Sequence, residues 1–123
     1  MTTQQAADTR LDTLAPPRRA LLLAVENRRG EATLALAELA RLVAAAGMVP
    51  AATLTQVRER PHPATYVGKG KLREVKGFLV AEDLDVVVCN HELSPRQVVA
   101  LSDQLERQVM DRSEVILEIC ARH

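Results

Sequence analysis

A chain of 123 residues fits one domain, and a 47% hydrophobic content supports a packed core. Its 16 Lys and Arg balance 16 Asp and Glu, so there is no global attraction to nucleic acid. Two widely spaced cysteines outside any CxxC pattern argue against a disulfide scaffold and for a reduced, cytoplasmic setting. No apolar run reaches the roughly 18–20 residues that cross a bilayer, and the polar start is no signal peptide.

Residues 1–17 are polar, lack a period and end at Pro16-Pro17, which predicts a disordered or loosely attached tail before a single domain over 18–123. Ala20 to Val25 reads as a buried first strand. Leu36, Leu39, Ala40 and Val43 recur at helical spacing, and Gly47 suits the stop. Residues 48–57 predict a second strand, with Pro50 near its start, where a missing donor is tolerated. A long loop follows, then a helix from Lys71 to Ala81 with Leu72, Val75 and Leu79 inward. Asp85 to Asn90 is β-branched without alternation, as in a parallel strand buried on both faces. Ser94-Pro95-Arg96-Gln97 has the form of a capping box with proline at the first helical position. Val98, Leu101 and Leu105 give that helix its inner face. Gln108 to Asp111 is a short fourth strand, and Asp111 begins a last helix through Cys120. The order βαβαβαβα predicts an α/β fold: a small, open, mainly parallel four-stranded sheet with helices on both faces.

Three segments carry a family resemblance. The first is Arg60-Pro61-His62-Pro63-Ala64-Thr65-Tyr66-Val67-Gly68-Lys69-Gly70-Lys71, continuing through Leu72-Arg73-Glu74-Val75. The second is His91-Glu92-Leu93-Ser94-Pro95-Arg96-Gln97. The third runs from Val109-Met110-Asp111-Arg112 to Leu117. In this order they closely resemble the N-terminal domain of HflX-type GTPases, without the GTPase domain. The resemblance implies a compact parallel α/β unit, to which the family adds a helical hairpin and then the GTPase. It also implies cytoplasmic translational proteins that bind the large ribosomal subunit and can split stalled ribosomes. Some members are linked to ATP binding through this domain and to antibiotic resistance.

Independently of that resemblance, the unusual segments all fall after strands, and ligands of open α/β sheets bind beyond the carboxyl ends of the strands. One rim is thus expected to gather Glu59, His62, Tyr66, Lys69, Lys71, His91, Glu92, Asp111 and Arg112. Residues 58–76 are locally basic, with Arg58, Arg60, Lys69, Lys71, Arg73 and Lys76 against Glu59 and Glu74. Gly68-Lys69-Gly70-Lys71 suits either a plain turn before a helix or a cradle for a phosphate or RNA backbone. It is no Walker A motif: GxxxxGK[ST], DxxG and NKxD are all absent, so GTP hydrolysis by this chain is not expected.

Arg60, Tyr66, Gly68, Lys69, Gly70, Lys71 and Arg112 are the candidate ligand contacts. Tyr66 suits stacking on a base or packing under the loop equally. Arg112 suits pairing with a rim carboxylate or holding an anionic substrate group. Glu59, His91, Glu92 and Asp111 are the candidate acids and bases if the domain is an enzyme. The bland alternatives are that His91 orders its loop and Asp111 caps a helix. His62, His91 and Glu92 lack a metal-site spacing, and neither metal nor cofactor is expected.

Three functions remain open. One is a stand-alone binding domain whose rim touches ribosomal RNA, a nucleotide or a partner protein. Another is an acid–base hydrolase or cyclase acting on a small-molecule substrate. The third makes the chain a fragment of a full-length GTPase. No membrane partner is expected. A homodimer is, because Val115, Ile116, Leu117, Ile119 and Cys120 spread apolar surface around much of the last helix.

Overall fold

The computed structural model describes residues 15–122. Most of the tail expected over 1–17 therefore lies outside the described residues; Ala15, Pro16 and Pro17 are exposed. Eight elements follow: β1 (Arg19–Glu26), α1 (Thr33–Ala45), β2 (Val49–Val57), α2 (Lys69–Ala81), β3 (Val86–Cys89), α3 (Pro95–Leu105), β4 (Gln108–Asp111) and α4 (Arg112–Arg122). Each expected element is present. The main boundary difference is α2, which begins two residues before the expected Lys71.

The strands are parallel throughout and lie in the order β2-β1-β3-β4. From β1 the chain moves outward to β2, then returns past β1 to β3. The crevice between β1 and β3 is therefore the point where the winding reverses, which is where such sheets bind ligands.

Alternation along β1 splits the core into two layers. Leu21, Leu23 and Val25 face α2 and α3, where they meet Leu72, Val75, Leu79, Leu101 and Leu105. Ala20 and Leu22 face α1 and α4, where they meet Leu39, Val43 and Val115. β3 is buried throughout, as its unbroken Val-Val-Val-Cys run requires. β2 is an edge strand and is only half covered.

The helix caps follow local chemistry. The Ser94 hydroxyl accepts from the Gln97 amide, while the Gln97 side chain accepts from the Ser94 amide, closing the capping box. Asp111 Oδ1 accepts from the Glu114 amide at the start of α4. Ile116 and Leu117 remain exposed on α4, while Ile119 packs against the core. None of the described helices is long and apolar enough to cross a membrane.

Candidate functional site at the strand-end rim

The loop joining β2 to α2 is held at several points. His62 and Tyr66 pair through their backbones, and His62 Nδ1 accepts from the amides of Ala64 and Thr65. Gln97 donates to the His62 carbonyl, tying the loop to α3. The Gly68 amide donates to Gln56, tying it to β2. A Cβ on Gly68 would lie 3.1 Å from the end of the Arg58 side chain, which would have to shift by a few tenths of an ångström to admit it.

Tyr66 is the loop's anchor. Its backbone is left-handed, with φ of 65°, and its side chain is fully buried. A non-glycine residue there is strained and persists only where surrounding contacts dictate it. Here they do. The phenolic oxygen accepts from the Val25 amide at 3.2 Å and lies 2.7 Å from His91 Nδ1. Of the two roles open to Tyr66, it therefore packs beneath the loop, and it meets the rim through His91. Burial raises its pKa above that of a free phenol, so it stays protonated. Burial, followed by the Arg112 charge, lowers the pKa of His91.

A cleft of about 400 Å³ opens at the β1/β3 switch point. Its polar lining includes Glu26, Asn27, Glu31, Glu59, Arg60, Asn90 and His91. With its amide nitrogen turned toward the loop, the orientation its neighbours require, Asn27 donates to the Glu59 carbonyl at 2.6 Å and to that of Arg58 at 3.1 Å. Glu26 is buried and accepts from the Ala32 amide, the main reason its pKa lies below the usual carboxylate value. Glu31 accepts from the Asn27 amide. Glu59 and Arg60 are exposed.

Arg112 reaches the same crevice from behind. It donates to Asn90 Oδ1 at 2.6 Å, to the Ala35 carbonyl at 3.0 Å and to Glu38 at 2.8 Å. It thus pairs with a carboxylate, as its position suggested, though that carboxylate lies on α1. Asp111 is buried, and both its oxygens are engaged, with the amides of Leu93 and Glu114. Glu92 is exposed. Among the described residues, no three His, Cys, Asp or Glu side chains gather as a metal site.

The two lysines diverge. Lys69 lines a groove with Arg73, Lys76 and Asp103 on the α2/α3 side. Lys71 lines another beside β2 with Arg29 and is paired with Glu74 at 3.0 Å. Because α2 begins at Lys69, the two are about 200° apart on a helix, and one bound phosphate cannot collect both. Gly70 lies bare between them, with nothing within 4 Å of an added Cβ. Glu26 and Asn90 line the switch-point cleft without having been candidates; their places at the ends of β1 and β3 were the available signal.

Residues 33–121 match the family model described as GTP-binding GTPase N-terminal. GTPase HflX of Lacrimispora saccharolytica is 45% identical over 104 residues, covering 84% of this chain and 25% of that protein. GTPase HflX of Escherichia coli is 38% identical over 87 residues, covering 71% and 20% respectively. A crystal structure of a GTP-binding protein from Sulfolobus solfataricus, in complex with GDP, shares the fold with a TM-score of 0.60 at 23% identity, covering 85% of this chain and 31% of that one. The chain spans about a quarter or less of these curated relatives. The matched part is the N-terminal region, separate from the GTPase core, and the core's nucleotide motifs do not occur in this sequence. By this match and by its fold, the chain belongs to the GTP-binding GTPase N-terminal family of HflX-type proteins.

Proposed function

We propose that the domain is an RNA-binding module whose strand-end rim contacts the phosphate backbone. One observation carries this reading. The basic side chains on and beside the rim are spread over separate grooves: Arg60 in the switch-point cleft, Arg29 and Lys71 beside β2, and Lys69 and Arg73 beside α3. A mononucleotide needs converging donors around one phosphate cluster. A spread of cations with a bare helix start between them suits a polyanion running across the surface. Ribosomal RNA is the natural target for a member of this family. Association through the exposed Ile116 and Leu117 of α4 would give a homodimer with two such rims.

The test is titration of a single-stranded RNA against the purified chain at several salt concentrations. Binding should weaken linearly on a logarithmic salt scale, by about 0.7 per phosphate contact. Affinity for GTP or ATP matching that for RNA, with no salt slope, would overturn the reading in favour of a nucleotide pocket.

A further inference from the structure

Two neighbouring residues at the end of β3 share an arrangement. Asn90 has its acceptor oxygen filled from behind by Arg112, at 2.6 Å. That leaves its amide Nδ2 as the free end, in the lining of the switch-point cleft. His91 has Nδ1 filled from behind by Tyr66, at 2.7 Å. The direction of this second bond follows from its surroundings. The phenol already accepts from the Val25 amide. Its other possible acceptor, the Leu23 carbonyl, is 3.5 Å away, at the limit of a hydrogen bond, against 2.7 Å to His91 Nδ1. The phenolic hydrogen therefore goes to His91 Nδ1, and the neutral ring carries its own hydrogen on Nε2. Both residues thus have a donor left over for the cleft.

The remaining charges select the ligand. Glu26 and Glu31 are occupied by the amides of Ala32 and Asn27. Glu59, whose backbone carbonyl accepts from Asn27, is the cleft carboxylate with no side-chain partner among the described residues. Arg60 is the one cation in the cleft's lining, set against the three carboxylates of Glu26, Glu31 and Glu59, so the interior disfavours a naked anion. Two neutral donors beside a free carboxylate suit a hydroxyl, whose oxygen accepts from an N–H while its hydrogen goes to the carboxylate. A carboxylate holding a ribose hydroxyl beyond the strand ends is a recurring solution in open α/β sheets.

We propose that Asn90, His91 and Glu59 form a ribose 2′-hydroxyl site at the switch point, with Tyr66 and Arg112 as positioning residues. The site rests on the RNA-binding reading above and adds discrimination between RNA and DNA. Near neutral pH the lowered pKa of His91 keeps its ring uncharged and the tautomer intact.

The experiment compares single-stranded RNA and DNA of identical sequence by fluorescence anisotropy. RNA should bind about tenfold more tightly, the yield of one hydrogen bond to a charged group. Glu59→Ala and His91→Ala should each bring the RNA-to-DNA ratio close to one. Nitrogen chemical shifts of His91 should show hydrogen on Nε2 and a bare Nδ1, and Tyr66→Phe should mix the tautomers. Equal wild-type affinity for RNA and DNA would overturn the hydroxyl site and leave the phosphate reading standing. Binding of neither would overturn both. A discrimination unchanged by Glu59→Ala, or hydrogen on His91 Nδ1 in the wild type, would also overturn the site. A free ribonucleoside that competes where its deoxy form does not would identify a small ligand as the source of the ribose. A preference for RNA without such competition identifies the polymer.

Discussion

The phenolic oxygen of Tyr66 and Nδ1 of His91 meet at 2.7 Å across 25 residues of chain. That contact joins the buried underside of the β2–α2 loop to the exposed end of β3. Tyr66→Phe should therefore cost about 1–3 kcal/mol, because the buried Val25 amide loses its acceptor and the ring contacts remain. Denaturant unfolding monitored by far-UV circular dichroism measures this directly. A loss below a few tenths of a kcal/mol would mean that water or a backbone shift replaces the phenol.

His91 also sets an acid limb of stability. Its folded pKa lies below the ordinary 6.5, so the unfolded chain binds the proton first as pH falls. Stability should be constant above that ordinary value and decline from there down to the lowered folded pKa. His91→Asn should flatten this part of the profile. Glu26 acts lower, since its stabilising contribution is present above the unfolded carboxylate pKa and is lost as pH falls through its depressed folded pKa. Midpoints of urea unfolding across pH test both statements.

Asp111 bonds the Leu93 amide with one oxygen and the Glu114 amide with the other. Asp111→Ala should cost about 2 kcal/mol or more, combining a lost helix cap with a stranded buried amide. Asp111→Asn keeps an acceptor for one amide and should recover part of the loss. If Asp111→Ala were as stable as the wild type, this carboxylate would have no structural role.

Lys69 and Lys71 should differ when replaced singly. Lys69 is exposed and has no partner among the described residues, whereas Lys71 is held by Glu74. Lys69→Ala should lower the salt slope of RNA binding by about 0.7 and Lys71→Ala by less. Equal effects would show that RNA displaces Glu74 from Lys71.

Light scattering at micromolar concentration should give twice the 13.5 kDa of one chain if α4 forms the twofold contact. Leu117→Glu should return it to monomer, because Leu117 is 67% exposed and its replacement leaves the core intact. A dimer surviving Leu117→Glu and Ile116→Glu would place the interface elsewhere.

The sequence carried the layered fold because each element announced itself locally. The unbroken valines of β3 required burial on both faces, and the Ser94 box marked the start of α3 to the residue. Gathering of the rim followed from placing loops after strands. Finer geometry was hidden. Starting α2 at Lys71 allowed Lys69 and Lys71 to share a loop; starting it at Lys69 turns them to different sides. The burial of Glu26 has no local signal, since it opens the polar run Glu26-Asn27-Arg28-Arg29. Nothing local in Thr65-Tyr66-Val67 signals a left-handed tyrosine, since that conformation is imposed by contacts from β1 and β3.

β2 pairs on one side only, and its nine residues, Val-Pro-Ala-Ala-Thr-Leu-Thr-Gln-Val, contain no charge. During synthesis it emerges before the β3 and α3 residues that complete its core layer. A long neutral edge of this kind is a template on which other nascent chains can stack. Expression level, rather than thermodynamic stability, should therefore set how much protein is recovered intact. A single gatekeeping lysine at the exposed Thr53 would raise the soluble yield, while adding a cation to the groove that Arg29 and Lys71 line.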